Sequence, residues 1–180
     1  MKLAYKAFDP GLKCRGYQFN MGLNTTTDAN CAKNGFHCAE NPIDCLSYYP
    51  YVHKSVYCLV GVGGDIDEDA RDSKIACTEL KILRILSLED YFLHILIYLS
   101  KHPTEHSSHI TEDCADARCG YAIVRGKKPM AKGKLGDVLA FLKLDRRGKP
   151  EQIAVFTVDG EEIKEDTYYD VDGKEVSFSE

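Results

Sequence analysis

This 180-residue chain lacks four features, and each absence removes a class of function. Positive charge is in deficit: the net charge is -5 and the pI is about 5.7. Phosphate backbones are bound by basic faces, so free nucleic acid is not expected as the main partner. No apolar run reaches the roughly 18 residues of a membrane span. The opening "MKLAYKAFDPG" has neither an apolar leader segment nor a cleavage site, so a cytoplasmic location is expected. Finally, no two of the eight cysteines stand as C-x2-C, the close pairing that zinc sites favour. In a reducing compartment these thiols are expected to be free and mostly buried.

What is present reads as an α+β protein. Hydrophobic residues make up 44% and charged residues 28%, a globular balance. "LAYKAF" alternates like a strand and stops at Asp9-Pro10-Gly11. "RGYQF" and "GFHC" read as further short strands, separated by the polar loop "NTTTDANCAKNG". Asn41 suits an N-cap and Pro42 the first helical position, so "PIDCLSYY" reads as a short helix. "SVYCLVGVGG" is a buried strand, "DIDEDARD" an acidic loop and "KIACTELKILRIL" one or two more strands. Ser87 then caps a long helix, "LEDYFLHILIYLSKH", apolar on nearly every face. Such a helix is central to a core or covered by a partner, so residues 88–99 are a candidate homodimer surface. Residues 101–119 read as a polar linker, and 120–180 as an antiparallel β-meander. Val158-Asp159-Gly160 and Val171-Asp172-Gly173 supply hairpin turns. That repeat is too short for a solenoid. The expected domains are therefore 1–100 and 120–180.

Several clusters invite a chemical reading. His37, Cys38 and Glu40 crowd one corner, but strand neighbours point apart, so His37 and Cys38 do not form a Cys–His pair by adjacency. His37 remains a candidate to face a pocket. His102, His106, His109, Cys114 and Cys119 are metal-ligating types whose spacing fits no common finger. Asp65, Asp67 and Asp69 alternate like a calcium loop, but Ala70 and Ala76 stand where its Gly and Glu belong. Glu79-x-Lys81 follows those aspartates, as in nucleases whose carboxylates hold a divalent metal. If the protein is an enzyme, Glu79, Lys81, Asp65, Asp67 and His37 are its candidates. If it binds by charge, Asp65, Asp67, Glu68, Asp69, Glu161 and Glu162 are the acidic groups to meet a basic surface.

"YKAFDPGLKCRGYQF" and "GFHCAENPIDCLSYYP" together resemble a domain family without assigned chemistry carried by phages, prophages and gut Firmicutes. The resemblance spans roughly residues 4 to 90, and "VDGEEIKEDTYYDVDGKEV" resembles the tail of the same proteins. It implies an accessory protein in the bacterial cytoplasm. Such a protein would bind and inhibit a host defence protein or ribonucleoprotein, such as a CRISPR effector, without catalysis or cofactor. The order of elements also loosely resembles ADP-ribosyltransferases, which place an Arg or His on the first strand and a Glu on a late one. Lys6 stands in the first place and Glu79 in the second, which implies NAD as the alternative cofactor to a divalent metal.

Overall fold

Period-two alternation of apolar residues dictates most of the N-terminal architecture. The computed structural model describes residues 1–30, 34–68 and 73–177. The chain divides into two compact units, Met1–Ser87 and Leu88–Glu180. The first contains β1 (Lys2–Phe8), β2 (Lys13–Cys14), β3 (Tyr17–Gln18), β4 (Gly22–Thr25), β5 (Phe36–Ala39), α1 (Asp44–Tyr48), β6 (Val56–Glu68) and β7 (Lys74–Leu86). Strand β1 pairs with β6, β6 with β7, β7 with β5, and β5 back with β1, every pair antiparallel. The four strands thus close a ring, which removes their free edges. One link is thin: β5 meets β1 through the single pair Tyr5↔Ala39. Strand β4 occupies the rest of the β7 edge.

Inside the ring lie Ala4 and Phe8 of β1, Phe36 and Cys38 of β5, and Cys58, Val60 and Val62 of β6. On β7 the buried set runs Ile75, Cys77, then Leu80 and Ile82, so the alternation slips by one residue. The slip coincides with a bulge between Gly63 and Ile66. There Gly64 adopts φ +68, and the Asp65 amide donates to Thr78 Oγ1 at 2.8 Å. A bulge places extra residues on one strand and turns the following side chains. The expected bend at "GVGG" is therefore a bulge within one strand, and residues 65–68 of the expected acidic loop belong to β6. Asp69, also expected there, lies outside the described residues.

The second unit contains α2 (Leu88–Lys101), β8 (Ile110–Asp116), β9 (Tyr121–Lys132), β10 (Val138–Leu144), β11 (Pro150–Thr157) and β12 (Tyr169–Asp170). The α+β class holds, but the C-terminal sheet is not wholly an antiparallel meander. Strand β9 pairs in parallel with both β8 and β10, while β11 and β12 add antiparallel edges. Parallel neighbours joined by residues 117–120 and 133–137 alone leave no room for a helical crossover. The chain instead winds in coils, each strand stacking on the one before. Stacked partners lie 13 residues apart at Ile110↔Ile123 and 17 apart at Tyr121↔Val138. Asp113, at φ 61, turns the corner of β8, and a Cβ on Gly126 would collide with the Asp113 carboxylate.

Part of the expected linker is thus strand β8, because Ile110 and Thr111 find partners on β9 that lie far ahead in sequence. Helix α2 packs on β10 and β11, so the boundary expected after residue 100 falls at Ser87. The helix buries Tyr91, Phe92, Ile95, Leu96 and Leu99, a stripe at helical spacing, and Phe92 meets Tyr121 with ring centroids 5.2 Å apart. Leu93 and Ile97 stay exposed. No helix among the described residues is long and apolar enough to cross a membrane.

Candidate functional site

The thin seam between β1 and β5 opens a cleft of about 580 Å³ in the first unit. Its size falls within the range of small-molecule sites. Strand β1 contributes Tyr5, Lys6 and Ala7, the β2–β3 hairpin Cys14, Arg15 and Tyr17, β5 His37 and Cys38, and α1 Asp44, Cys45 and Tyr48. Lys74, at the start of β7, completes the rim.

Lys6 is the central feature. The residue is only 5% exposed, yet no carboxylate among the described residues pairs with it. Its Nζ donates to the His37 carbonyl at 2.7 Å and reaches the Cys14 thiol at 3.6 Å. The rings of Phe8 and Phe19 lie 5.2 and 5.3 Å from the ammonium, and their faces attract a cation. An ammonium has three donors, so these contacts leave one for a ligand. A buried charge without an opposite charge is costly, and an incoming anion offsets that cost.

Arg15 adds a second cation at the mouth. Residues 15 and 16 form the two-residue loop between Cys14 and Tyr17, with φ +49 and +80. Two positive φ values mark a type I′ turn, which favours Asn, Asp or Gly in its first place. Arg15 occupies that place against local preference, without a hydrogen-bond or ion-pair partner among the described residues. Departures of this kind cluster at functional sites.

His37 has the one buried side-chain nitrogen or oxygen without a partner among the described residues, its Nε2. Desolvation, opposed by a hydrogen bond to the Asn30 backbone and helped by Lys6, Lys74 and Arg15, holds its pKa below the ordinary value. Around these groups stand aromatic walls. Tyr48 is 57% and Tyr17 42% exposed at the mouth, while Tyr17 also meets Phe36 at 5.0 Å. Burial pushes the Tyr49 hydroxyl up, and it donates to Cys14 Sγ at 3.4 Å.

Helix α1 is held where the cleft needs it. Asn41 Oδ1 accepts the Ile43 amide at 3.0 Å and shapes the turn ahead of the helix, whose N-cap is Ile43 without a side-chain bond rather than the expected Asn41. Asp44 is tied down by the Ser73 hydroxyl at 2.6 Å. Cys45 is buried behind Lys6 and desolvation pushes its thiol up to about 12, which makes it inert packing rather than a nucleophile.

The other sequence candidates stand apart from the cleft. Glu79 and Lys81 are exposed on β7, with the Glu79 carboxylate over Gly63. Glu40 and Glu68 share Lys2 at 3.0 and 2.6 Å. Asp65 and Asp67 lie along the end of β6, while Glu161 and Glu162 flank a turn of the second unit, so the acidic residues belong to separate units. His109 bonds the Tyr121 hydroxyl at 2.7 Å and, with Cys114 and Cys119, lines a shallower groove of about 430 Å³. His102 stacks on Tyr98 at 4.2 Å, and His106 is exposed. Among the described residues no three His, Cys, Asp or Glu side chains converge on a common point that could hold a metal ion. Sequence reasoning found Lys6 and His37 but missed Arg15, Cys14 and Tyr48. An Arg before Gly in a two-residue turn was the available signal.

One family model matches the chain, over residues 2–94, and its description is "Domain of unknown function (DUF7666)". Neither the curated proteins nor the solved structures return a match.

Proposed function

Because the chain belongs to that family through just over half of its length, we propose that the family domain is a binding module for a small nucleotide-like ligand, with NAD as the model compound. The observation that carries this reading is Lys6, a buried cation without a counter-ion, at the base of an aromatic-walled cleft. Arg15 extends the positive charge to the mouth, where an anionic group enters. Tyr48 and Tyr17 offer exposed ring faces for a flat base. Lys6 on the first strand contacts the backbone of the "GFHC" strand, in keeping with the element order of ADP-ribosyltransferases. Glu79, the residue that would carry transfer in that comparison, is not part of the cleft, and Asp44 is held by Ser73. The reading is therefore binding rather than turnover.

Calorimetric titration with NAD, ADP-ribose and AMP tests it. Binding at roughly 1–100 µM is expected, or about -5 to -8 kcal/mol. Replacing Arg15 by Ala should weaken it about tenfold, the loss of one charge-assisted contact. Absence of binding by all three compounds would sink the reading. The accessory role implied for a mobile-element protein, inhibition of a host defence complex, is compatible with a module that acts by binding. Capture of the tagged chain from bacterial lysate, with and without NAD, addresses that partner.

A further inference from the structure

Helix α2 leaves four residues exposed: Glu89, Leu93, Ile97 and Lys101. Every other residue of the helix is buried or half-buried. The four stand at four-residue intervals, so they form one ridge, about 18 Å long, inclined to the helix axis. Its order is acid, apolar, apolar, base. In the middle, Leu93 is 38% and Ile97 41% exposed. At one end Glu89 Oε1 accepts the Thr157 hydroxyl at 2.8 Å, which holds the carboxylate in place and leaves its other oxygen for a further donor. At the other end Lys101 has no ion-pair partner among the described residues. The helix dipole favours each charge singly, but it does not account for two exposed apolar residues set between them.

Reversed end for end, this ridge is its own complement. Residues 89 and 101, and residues 93 and 97, lie symmetrically about residue 95. A two-fold axis across the helix at that point sets Leu93 against Ile97 of a second copy, and Glu89 against Lys101 of that copy. We infer that the exposed ridge of α2 is the interface of an antiparallel homodimer, closed by an apolar centre and by an ion pair at each end. A two-fold contact uses the same patch on both copies, so every pairing occurs twice. Ridges of this spacing laid side by side cross at about -50°, the commonest helix packing. A parallel arrangement would instead set Glu89 against Glu89 and Lys101 against Lys101, and like charges repel. The apolar centre is small, so the dimer is a weak one, with a dissociation constant of roughly 10–500 µM. No residue of the cleft takes part, and the inference stands apart from the binding reading.

Sedimentation equilibrium of the full chain over a concentration series tests it, with thermal melts to confirm that each variant folds. A monomer–dimer equilibrium is expected, weakening as salt screens the end pairs. Leu93→Glu puts a charge at the apolar centre of both copies and should weaken the dimer by at least about a hundredfold. Glu89→Lys or Lys101→Glu alone creates two like-charge contacts and should weaken it about tenfold. The double variant Glu89→Lys with Lys101→Glu restores opposite charges in the antiparallel arrangement and should recover most of that loss. A simple loss of surface charge or of helix stability gives no such recovery. A chain that stays monomeric up to roughly 0.5 mM overturns the inference and leaves the ridge to solvent or to a different partner. A dimer that survives Leu93→Glu places the interface elsewhere, and a double variant as weak as the single ones rules out the antiparallel pairing; either result overturns the inference.

Discussion

Arg15 illustrates how much one residue reveals when its neighbours disagree with it. A type I′ turn wants a residue that tolerates positive φ, and Arg tolerates it poorly. Replacing Arg15 by Asn relieves that local cost, so Arg15→Asn is expected to raise stability by about 0.5–1 kcal/mol. The same change removes the mouth cation and should weaken NAD binding. Urea unfolding and titration of one variant give both numbers, and a loss of stability would argue that Arg15 is structural. At this scale the sequence was partly readable. His37 was visible as a candidate, but its orphaned nitrogen was not, because burial without a partner depends on how elements distant in sequence pack around the ring. Glu79 and Lys81 lie outside the lining of the cleft, and their Glu-x-Lys pattern holds no information about which face a bulged strand presents.

Among the elements, β5 has the strictest local demand. It begins after Gly35, which adopts φ +89 and lies so close to the Ala29 and Asp28 backbones that a Cβ would sit 2.9 and 3.0 Å from them. Both neighbours are backbone and cannot swing aside. Gly35→Ala is therefore expected to cost at least about 2 kcal/mol, from the left-handed conformation and the contact together. Chemical denaturation measures it, and a cost below 0.5 kcal/mol would show that the loop relaxes freely. The strand "GFHC" and a short helix after Asn-Pro were legible because each follows from short-range chemistry, a glycine, an alternation and a turn, though the helix starts at Asp44 rather than Pro42. The coil winding of β8 to β10 was not. Its pairs join residues 13 to 17 apart without any repeated motif, so no periodicity announces it.

At the scale of the whole molecule, each unit has its own hydrophobic cluster. The cluster within the ring draws only on residues before Ser87, and that of the coils only on residues after Leu88. A fragment of residues 1–87 is expected to unfold in a single cooperative transition and to keep NAD affinity within about threefold of the full chain, since every lining residue of the cleft lies in it. Circular dichroism and titration of the fragment decide this; a fragment that melts without cooperativity would mean that the second unit completes the first. The division came at Ser87 rather than after the apolar helix because helical apolarity says that a face is covered without saying by which strands.

The coils of the second unit have a consequence for how such a chain can change length. Each coil rests on the one beneath through the same lateral ladder, while β11, β12 and α2 pack against the stack from outside it. A whole coil inserted between β8 and β9 would meet the edges already present and pass them on unchanged. Growth by complete turns is then nearly neutral for folding, whereas gain or loss of a single residue shifts every inward side chain outward. The stack behaves as a ruler graduated in turns, along which the second unit can lengthen.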